Sequence, residues 1–147
     1  MKNTDKQLLT SPEVELTDML KAHGILPTQQ RVMIARVLFA QCGHYSADQV
    51  MRQVNAGDDR VSKATVYNTL GLFARSGLVR EVIVDPTRVF YDPNTRHHHH
   101  FYNVDTGELI DIEQEQLDIS ALPDLPAGTV AAGVDVIVRI RDESAVN

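Results

Sequence analysis

The sequence predicts an α+β protein in which an N-terminal winged helix-turn-helix precedes a small α/β domain. Residues 11–75 contain four segments with the apolar spacing of helices, and two short apolar runs around a turn signal follow them. The order of helix, helix, recognition-type helix and β-hairpin is the layout of a winged helix-turn-helix. Beyond Pro93 the apolar runs are short and typical of strands. We therefore predict two domains, residues 1–91 and 92–147.

Composition and charge are consistent with two domains that have different partners. The 147 residues are 43% hydrophobic and 23% charged, as in ordinary globular proteins. Residues 1–85 carry ten Lys and Arg against nine Asp and Glu, whereas residues 86–147 carry four against eleven. The near-neutral first part has room for a local basic face, whereas the acidic second part would repel DNA phosphates.

The sequence also restricts where the protein acts and which metal ligands it has. Cys42 is the only cysteine, which excludes an intrachain disulfide and argues against a zinc site built from cysteines. Beside His44 it invites a redox role, although a lone cysteine is more often a small packing residue. No apolar run has membrane-spanning length and no signal peptide opens the chain, so we expect a soluble cytoplasmic protein with no membrane partner.

The helices of the first domain have recognisable start signals. Side-chain oxygens that can accept from the first helical N–H groups occur at Ser11, Thr28, Ser46 and Ser62. Ser46 and Gln49 have the spacing of a capping box. After the fourth helix, residues 79–84 and 88–91 flank the turn Asp85-Pro86-Thr87 and predict the hairpin wing.

The start of the fourth helix, residues 62–68, has a composition suited to DNA. It offers a cation in Lys63, short polar side chains in Thr65 and Asn68, and an aromatic ring in Tyr67. Such groups can reach base edges and phosphates in the major groove. An ordinary amphipathic surface helix would look similar, but the wing that follows favours DNA binding.

Four consecutive histidines, residues 97–100, begin the second domain's first apolar run. On a strand, His98 and His100 would share one face and His97 and His99 the other, which offers two separate imidazole pairs. Neutral imidazole is the commonest protein metal ligand. A solvated loop is the alternative, and an expression tag is disfavoured because the run is short and lies mid-chain.

The rest of the second domain predicts few regular elements. Residues 100–104 and 109–112 form a hairpin around residues 105–107, and residues 113–119 form a short helix. A final strand ends at Ile140, with Val134, Val136 and Val138 on the same face as Ile140. So small a unit buries little apolar surface alone, so we interpret it as a dimerisation and sensor domain that pairs with a second copy.

Several linked motifs give the chain a family resemblance over residues 15–140. They are Pro27-Thr28-Gln29-Gln30-Arg31, Ser46-Ala47-Asp48-Gln49, Ala64-Thr65-Val66-Tyr67-Asn68-Thr69-Leu70, and the histidine run with Gly107-Glu108-Leu109-Ile110-Asp111. In order and spacing they resemble the ferric uptake regulator family, and the scarcity of cysteine looks most like its iron response regulator branch. The resemblance implies a dimeric, metal-responsive winged-helix repressor that binds AT-rich inverted repeats.

The resemblance also assigns site residues. Tyr67 matches the family's base-contacting tyrosine, and Arg31 and Lys63 match its phosphate or groove contacts. The regulatory metal ligands match His44, His98, His100 and Asp111. Since His44 lies in the DNA-binding domain and the other three in the sensor domain, a shared cation would fix the angle between the domains. Nitrogen and oxygen ligands suit Fe²⁺, Mn²⁺ or Zn²⁺ without choosing among them.

Other positions depart from the family pattern. A further acidic ligand falls at Tyr91, beside Asp92, which offers a substitute. A second metal site is matched by His97, His99 and Asp118, but its usual last histidine falls near Val134.

The cysteine-based structural zinc of most members has no counterpart, because its first cysteine pair falls at Asn103 and Thr106. Haem, with His98 or His100 as axial ligand, is the alternative cofactor. The chain lacks a Cys-Pro haem motif, so a simple cation ranks first.

Two other classes of function use the same histidines. A metalloenzyme would employ Asp111 as a base, but catalysis needs an open coordination position and a substrate pocket, for which so short a domain has little room. A metal-storage or protein-interaction module would bind metal without any change in DNA affinity. The leading interpretation is a metal-dependent repressor, not an enzyme, that binds double-stranded DNA as a homodimer.

Overall fold

The computed structural model describes residues 12–40, 43–58 and 60–145, and the chain divides into two compact units, Met1–Thr95 and Arg96–Asn147. The division lies a few residues beyond the predicted boundary at 91/92. Asp92 closes a strand of the first unit's sheet, which is why it belongs to that unit. Ser11, the predicted first helix cap, and Cys42 lie outside the described residues.

Four helices form most of the first unit. They are α1 (Pro12–Ala22), α2 (Gln29–Phe39), α3 (Ala47–Val54) and α4 (Lys63–Arg75). Their apolar faces meet in one core, whose largest fully buried members are Leu20, Ile34, Leu38, Val50, Val66, Leu70 and Phe73. None of the helices in the described ranges is long and apolar enough to cross a membrane.

The helix starts within the described residues follow the predicted capping signals. Thr28 Oγ1 accepts from the Arg31 N–H at 3.3 Å, and Ser62 Oγ accepts from the Thr65 N–H at 3.2 Å. At α3 the capping box is complete: Ser46 Oγ accepts from the Gln49 N–H, and Gln49 Oε1 accepts from the Ser46 N–H. These local bonds fix where α2, α3 and α4 begin, and thereby place Lys63 in the first turn of α4.

A three-stranded antiparallel sheet completes the first unit. It contains β1 (Tyr45–Ser46), β2 (Arg80–Asp85) and β3 (Arg88–Asp92) in the order β1-β3-β2. The predicted hairpin wing, β2 and β3, is confirmed. β1 was not predicted, because a strand of two residues is too short to show an alternating apolar pattern. Its pairing of Tyr45 with Tyr91 brings the preceding residue, His44, to the end of β3.

The second unit is built on another three-stranded sheet. It contains β4 (His99–Asn103), β5 (Leu109–Ile112) and β6 (Ile137–Ile140) in the order β5-β4-β6. β4 pairs antiparallel with β5, which confirms the predicted hairpin, and parallel with β6. The predicted helix over residues 113–119 is only a 3-10 turn at Gln114–Gln116.

The predicted apolar face of the final strand is only partly formed. β6 begins at Ile137, so Val134 and Val136 precede it and do not extend its face. Within β6, Ile137 and Ile140 are half-buried and Val138 is exposed. The prediction was wrong about length because alternating valines are compatible with an extended chain as well as with a paired strand.

Candidate metal centre and nucleic-acid interface

In the second unit, two imidazoles and one carboxylate converge. Asp111 Oδ1 lies 3.5 Å from His98 Nε2 and 3.3 Å from His100 Nε2. The register of β4 against β5 causes this arrangement, because His100 stands opposite Asp111. Ligand atoms of the three residues all lie within 4.8 Å of one another. We call this set the His-His-Asp group.

The two histidines of the His-His-Asp group are buried and oriented, whereas Asp111 is half-buried. His98 and His100 are 1% and 2% exposed, and their ring centroids lie 4.5 Å apart. His98 Nδ1 lies 2.6 Å from the carbonyl oxygen of Arg96, so Nδ1 carries the proton and donates it. The lone pair of the neutral ring is therefore on Nε2, which faces Asp111. A backbone carbonyl that holds an imidazole in this way is the usual outer partner of a metal-binding histidine.

In the first unit, His44 and Asp92 form what we call the His-Asp pair. His44 Nε2 lies 3.2 Å from Asp92 Oδ2, and the two side chains are 10% and 2% exposed. Asp92 Oδ1 also accepts from the Asn94 N–H at 2.9 Å, which orients the carboxylate. The sequence offered Tyr91 or Asp92 as the position of a further acidic ligand. Of these two residues, Asp92 is the one that lies beside His44. Burial and the nearby charge of Glu81 raise the pKa of Tyr91, so its phenol stays protonated.

The residues of the predicted second metal site line one cavity of the second unit. His97, His99 and Asp118 border a space of about 610 Å³, and Val134 lies there too. The rings of His97 and His99 are 5.0 Å apart. His99 Nδ1 accepts from the Val136 N–H at 3.0 Å, so the neutral ring carries its proton on Nε2. His99 would have to give up this hydrogen bond or that proton to bind a cation.

The histidine side chains alternate between two faces as predicted, but only half of the run belongs to a strand. His98 contacts His100 and His97 contacts His99, as strand geometry requires. Only His99 and His100 lie on β4, because pairing with β5 begins at His99.

The predicted DNA-contacting residues lie in the first unit, four of them on α4. Lys63, Tyr67 and Asn68 are exposed, and Thr65 is half-buried with its hydroxyl accepting from Ser62. Lys63 Nζ lies 5.6 Å from the centroid of the Tyr67 ring, within cation–π range. Arg31 is half-buried on α2, and its Nη1 donates to the Leu26 carbonyl at 2.9 Å.

Sequence reasoning missed a partner of Tyr67. The Tyr67 hydroxyl donates to Asp48 Oδ1 at 3.2 Å, which joins α4 to the first turn of α3. The two residues are 19 positions apart and no periodicity relates them, so no signal in the sequence could have found this contact.

The contact should be measurable as a shifted tyrosine titration. Partial burial, the hydrogen bond to Asp48 and the charge of that carboxylate raise the pKa of Tyr67. Asp48→Asn should therefore lower it towards the ordinary tyrosine value, and the pair's contribution to folding should be lost as pH rises through the raised pKa. The measurement is the tyrosinate absorbance of the intact chain against pH, with Tyr67→Phe used to assign the signal. An unchanged titration in Asp48→Asn would contradict the contact.

A winged helix with a cation and a tyrosine on its recognition helix, in one chain with a His-His-Asp group whose histidines are buried, defines a metal-responsive transcription regulator. Comparison with known proteins agrees. The family model for the Ferric uptake regulator family matches residues 22–122. The chain belongs to the ferric uptake regulator family, as its motifs predicted, and this is a family of metal-responsive transcriptional repressors.

Particular relatives support the same assignment. The chain is 31% identical over 99 residues to the peroxide-responsive repressor PerR of Staphylococcus epidermidis, an alignment that covers 67% of this chain and 66% of the relative. The match thus spans about two thirds of the length of such curated relatives.

Solved structures of family members confirm the fold. The ferric uptake regulator from Pseudomonas aeruginosa with manganese is 24% identical, covers 86% of this chain and 97% of its own, and has a TM-score of 0.64. The ferric uptake regulator of Vibrio cholerae, also 24% identical, covers 86% and 98% with a TM-score of 0.69. These likenesses confirm the predicted α+β architecture, in which an N-terminal winged helix precedes a small α/β domain.

Proposed function

We propose that this chain is a metal-dependent transcriptional repressor that acts in the cytoplasm as a homodimer and binds palindromic, AT-rich operator DNA. The observation that carries the proposal is the His-His-Asp group, in which buried imidazole nitrogens and a carboxylate converge and one imidazole is held by a backbone carbonyl. Membership of the ferric uptake regulator family supports the same conclusion.

The regulatory cation would be bound by His44, His98, His100 and Asp111, with Asp92 as a further carboxylate. The chemistry of each donor set supports this. The His-Asp pair alone offers too few ligands for a firmly held transition metal, and the His-His-Asp group offers three. Joint binding would restrict the angle between the two units to one value. Metal would then favour the one geometry in which a dimer reaches two major grooves.

Mixed nitrogen and oxygen ligation fits Fe²⁺, Mn²⁺ or Zn²⁺. Similar proteins include a peroxide-responsive repressor, a zinc-bound manganese uptake regulator and a ferric uptake regulator with iron. We therefore expect this repressor to respond to iron, manganese or peroxide. Haem is disfavoured, because the Nε2 atoms of both buried histidines face the Asp111 carboxylate, an arrangement that suits a small hard cation. Binding of a cation by His97, His99 and Asp118 would cost His99 either its hydrogen bond from Val136 or its Nε2 proton.

On the DNA side, α4 would enter the major groove. Tyr67, Asn68 and Thr65 would contact bases, and Lys63 and Arg31 would contact phosphates. The exposure of Lys63, Tyr67 and Asn68 on one end of α4 supports these roles.

The test is a DNA-binding titration with the intact chain, using an operator recovered by selection from random duplexes in Mn²⁺. Fluorescence anisotropy would be recorded without metal and with Fe²⁺, Mn²⁺, Zn²⁺ or haem. We expect a divalent cation to tighten binding roughly 10- to 100-fold, the usual range of allosteric coupling. His44→Ala should remove this gain and leave the weak basal affinity.

The matched control is His23→Ala, since His23 is exposed at the end of α1 and its Nδ1 bonds to the Met19 carbonyl. It should behave as the wild type. Retention of full metal dependence in His44→Ala would contradict the shared site. Turnover of an ester or phosphate that is lost in His98→Ala would instead favour a metalloenzyme.

A further inference from the structure

The contact between Asp48 and Tyr67 has a consequence for how α4 reads DNA. A phenol has one proton to donate and an oxygen that can also accept. In this structure the proton is directed to Asp48 Oδ1, at 3.2 Å. The oxygen therefore offers the solvent only an acceptor, whereas an unpaired phenol would rotate and present either polarity.

The ring itself is also held. Lys63 Nζ lies over the ring of Tyr67, one turn earlier on α4, while Asp48 holds the hydroxyl from α3. Tyr67 is nevertheless 41% exposed, so the held ring remains accessible from outside. Both the polarity and the orientation of this side chain are thus set before any DNA arrives.

We propose that Asp48 is a specificity-determining residue, which makes Tyr67 an obligate acceptor and so selects a base that presents an amino group to it. In the major groove only adenine N6 and cytosine N4 present such donors, whereas guanine and thymine present acceptors at the corresponding positions. The inference rests on the proposed function, in which α4 contacts base edges.

The negative charge of Asp48 should weaken affinity for DNA in general, and this effect distinguishes a role in base selection from a purely structural role. It is an exposed carboxylate near the surface that would face phosphates, so it weakens non-specific affinity for DNA. Removing its charge should therefore strengthen binding to random DNA while it weakens base selection. Simple damage to the fold would instead weaken both together.

The experiment is selection from a random duplex library with the intact chain in Mn²⁺, followed by sequencing. The wild type and the variants Asp48→Asn, Tyr67→Phe and Asp48→Asn/Tyr67→Phe would be compared. An asparagine can donate to the phenol or accept from it, so Tyr67 regains both polarities. We expect Asp48→Asn to reduce the preference for an amino-bearing base roughly fivefold at one position per half-site, the factor that one hydrogen bond provides.

Tyr67→Phe should relax the same position, and the double variant should relax it no further than Tyr67→Phe alone. Asp18→Asn is the matched control, because Asp18 is also an exposed carboxylate and lies on α1. It should leave the selected motif unchanged. A motif that Asp48→Asn keeps at every position would overturn the role of Asp48. A wild-type chain that enriches no motif would overturn both this role and the proposed function.

Discussion

Replacing His98 with alanine should abolish metal-dependent DNA binding while the weak basal affinity remains. His98 is 1% exposed, its Nδ1 is tied to the Arg96 carbonyl, and its Nε2 faces Asp111. The substitution removes an oriented ligand, and loss even of an outer partner costs 10- to 100-fold in metal affinity, so we expect a loss of about 100-fold or more. Calorimetric titration with Mn²⁺ and DNA anisotropy measure the two effects.

The neighbouring histidine provides the control for this substitution. His97 is exposed and contacts His99 rather than the His-His-Asp group. His97→Ala should therefore keep the metal-dependent gain in DNA affinity. If His97→Ala lost that gain and His98→Ala kept it, the regulatory site would be on the opposite face of the histidine run.

Replacing Asn103 with alanine should destabilise the second unit by about 2–4 kcal/mol. Asn103 is 7% exposed, and its Oδ1 accepts from the N–H groups of Asp105 and Thr106 at 2.9 and 3.2 Å. Its Nδ2 donates to Asp142 Oδ1 at 2.9 Å. Asp142 in turn donates its N–H to Asp105 Oδ2 at 2.9 Å. These bonds join the turn between β4 and β5 to the residues that follow β6.

This hydrogen-bond network lies where the family resemblance would put part of a structural zinc site. The family resemblance puts the first cysteine pair of a structural zinc at Asn103 and Thr106, and here amide and carboxylate hydrogen bonds occupy those positions. Denaturant unfolding of the full chain, followed by a probe in the second unit, measures the effect.

Two further variants sharpen the test. Asn103→Asp keeps an acceptor for the turn but sets its carboxylate against that of Asp142, so this variant should also be less stable than the wild type at neutral pH. Asn68→Ala, an exposed asparagine on α4, is the control and should change stability by less than about 0.5 kcal/mol. A loss that small for Asn103→Ala would show that the network does not stabilise the unit.

Much of the fold could be predicted from local signals. Each helix cap accepts a hydrogen bond from the backbone N–H three residues later, as seen at Thr28, Ser46 and Ser62. The starts of α2, α3 and α4 are therefore encoded within one helical turn. The alternation of His98 with His100 follows from strand geometry alone. In each of these cases the residues that interact are close in sequence.

What the sequence did not reveal depends on contacts between distant residues. β1 is two residues long and exists only because Tyr45 and Ser46 pair with β3. That pairing, rather than any local pattern, puts Asp92 beside His44, where Tyr91 was the aligned candidate. The Asp48–Tyr67 contact depends in the same way on how α3 packs against α4.

The central claim is that His44 of the first unit and the His-His-Asp group of the second bind the same cation. Pulsed electron paramagnetic resonance of the Mn²⁺-loaded intact protein counts the imidazole nitrogens that coordinate the metal. We predict that His44→Ala loses one coordinated imidazole, that His98→Ala also loses one, and that His23→Ala loses none. An unchanged count in His44→Ala, in protein that binds its metal fully, would contradict the shared site.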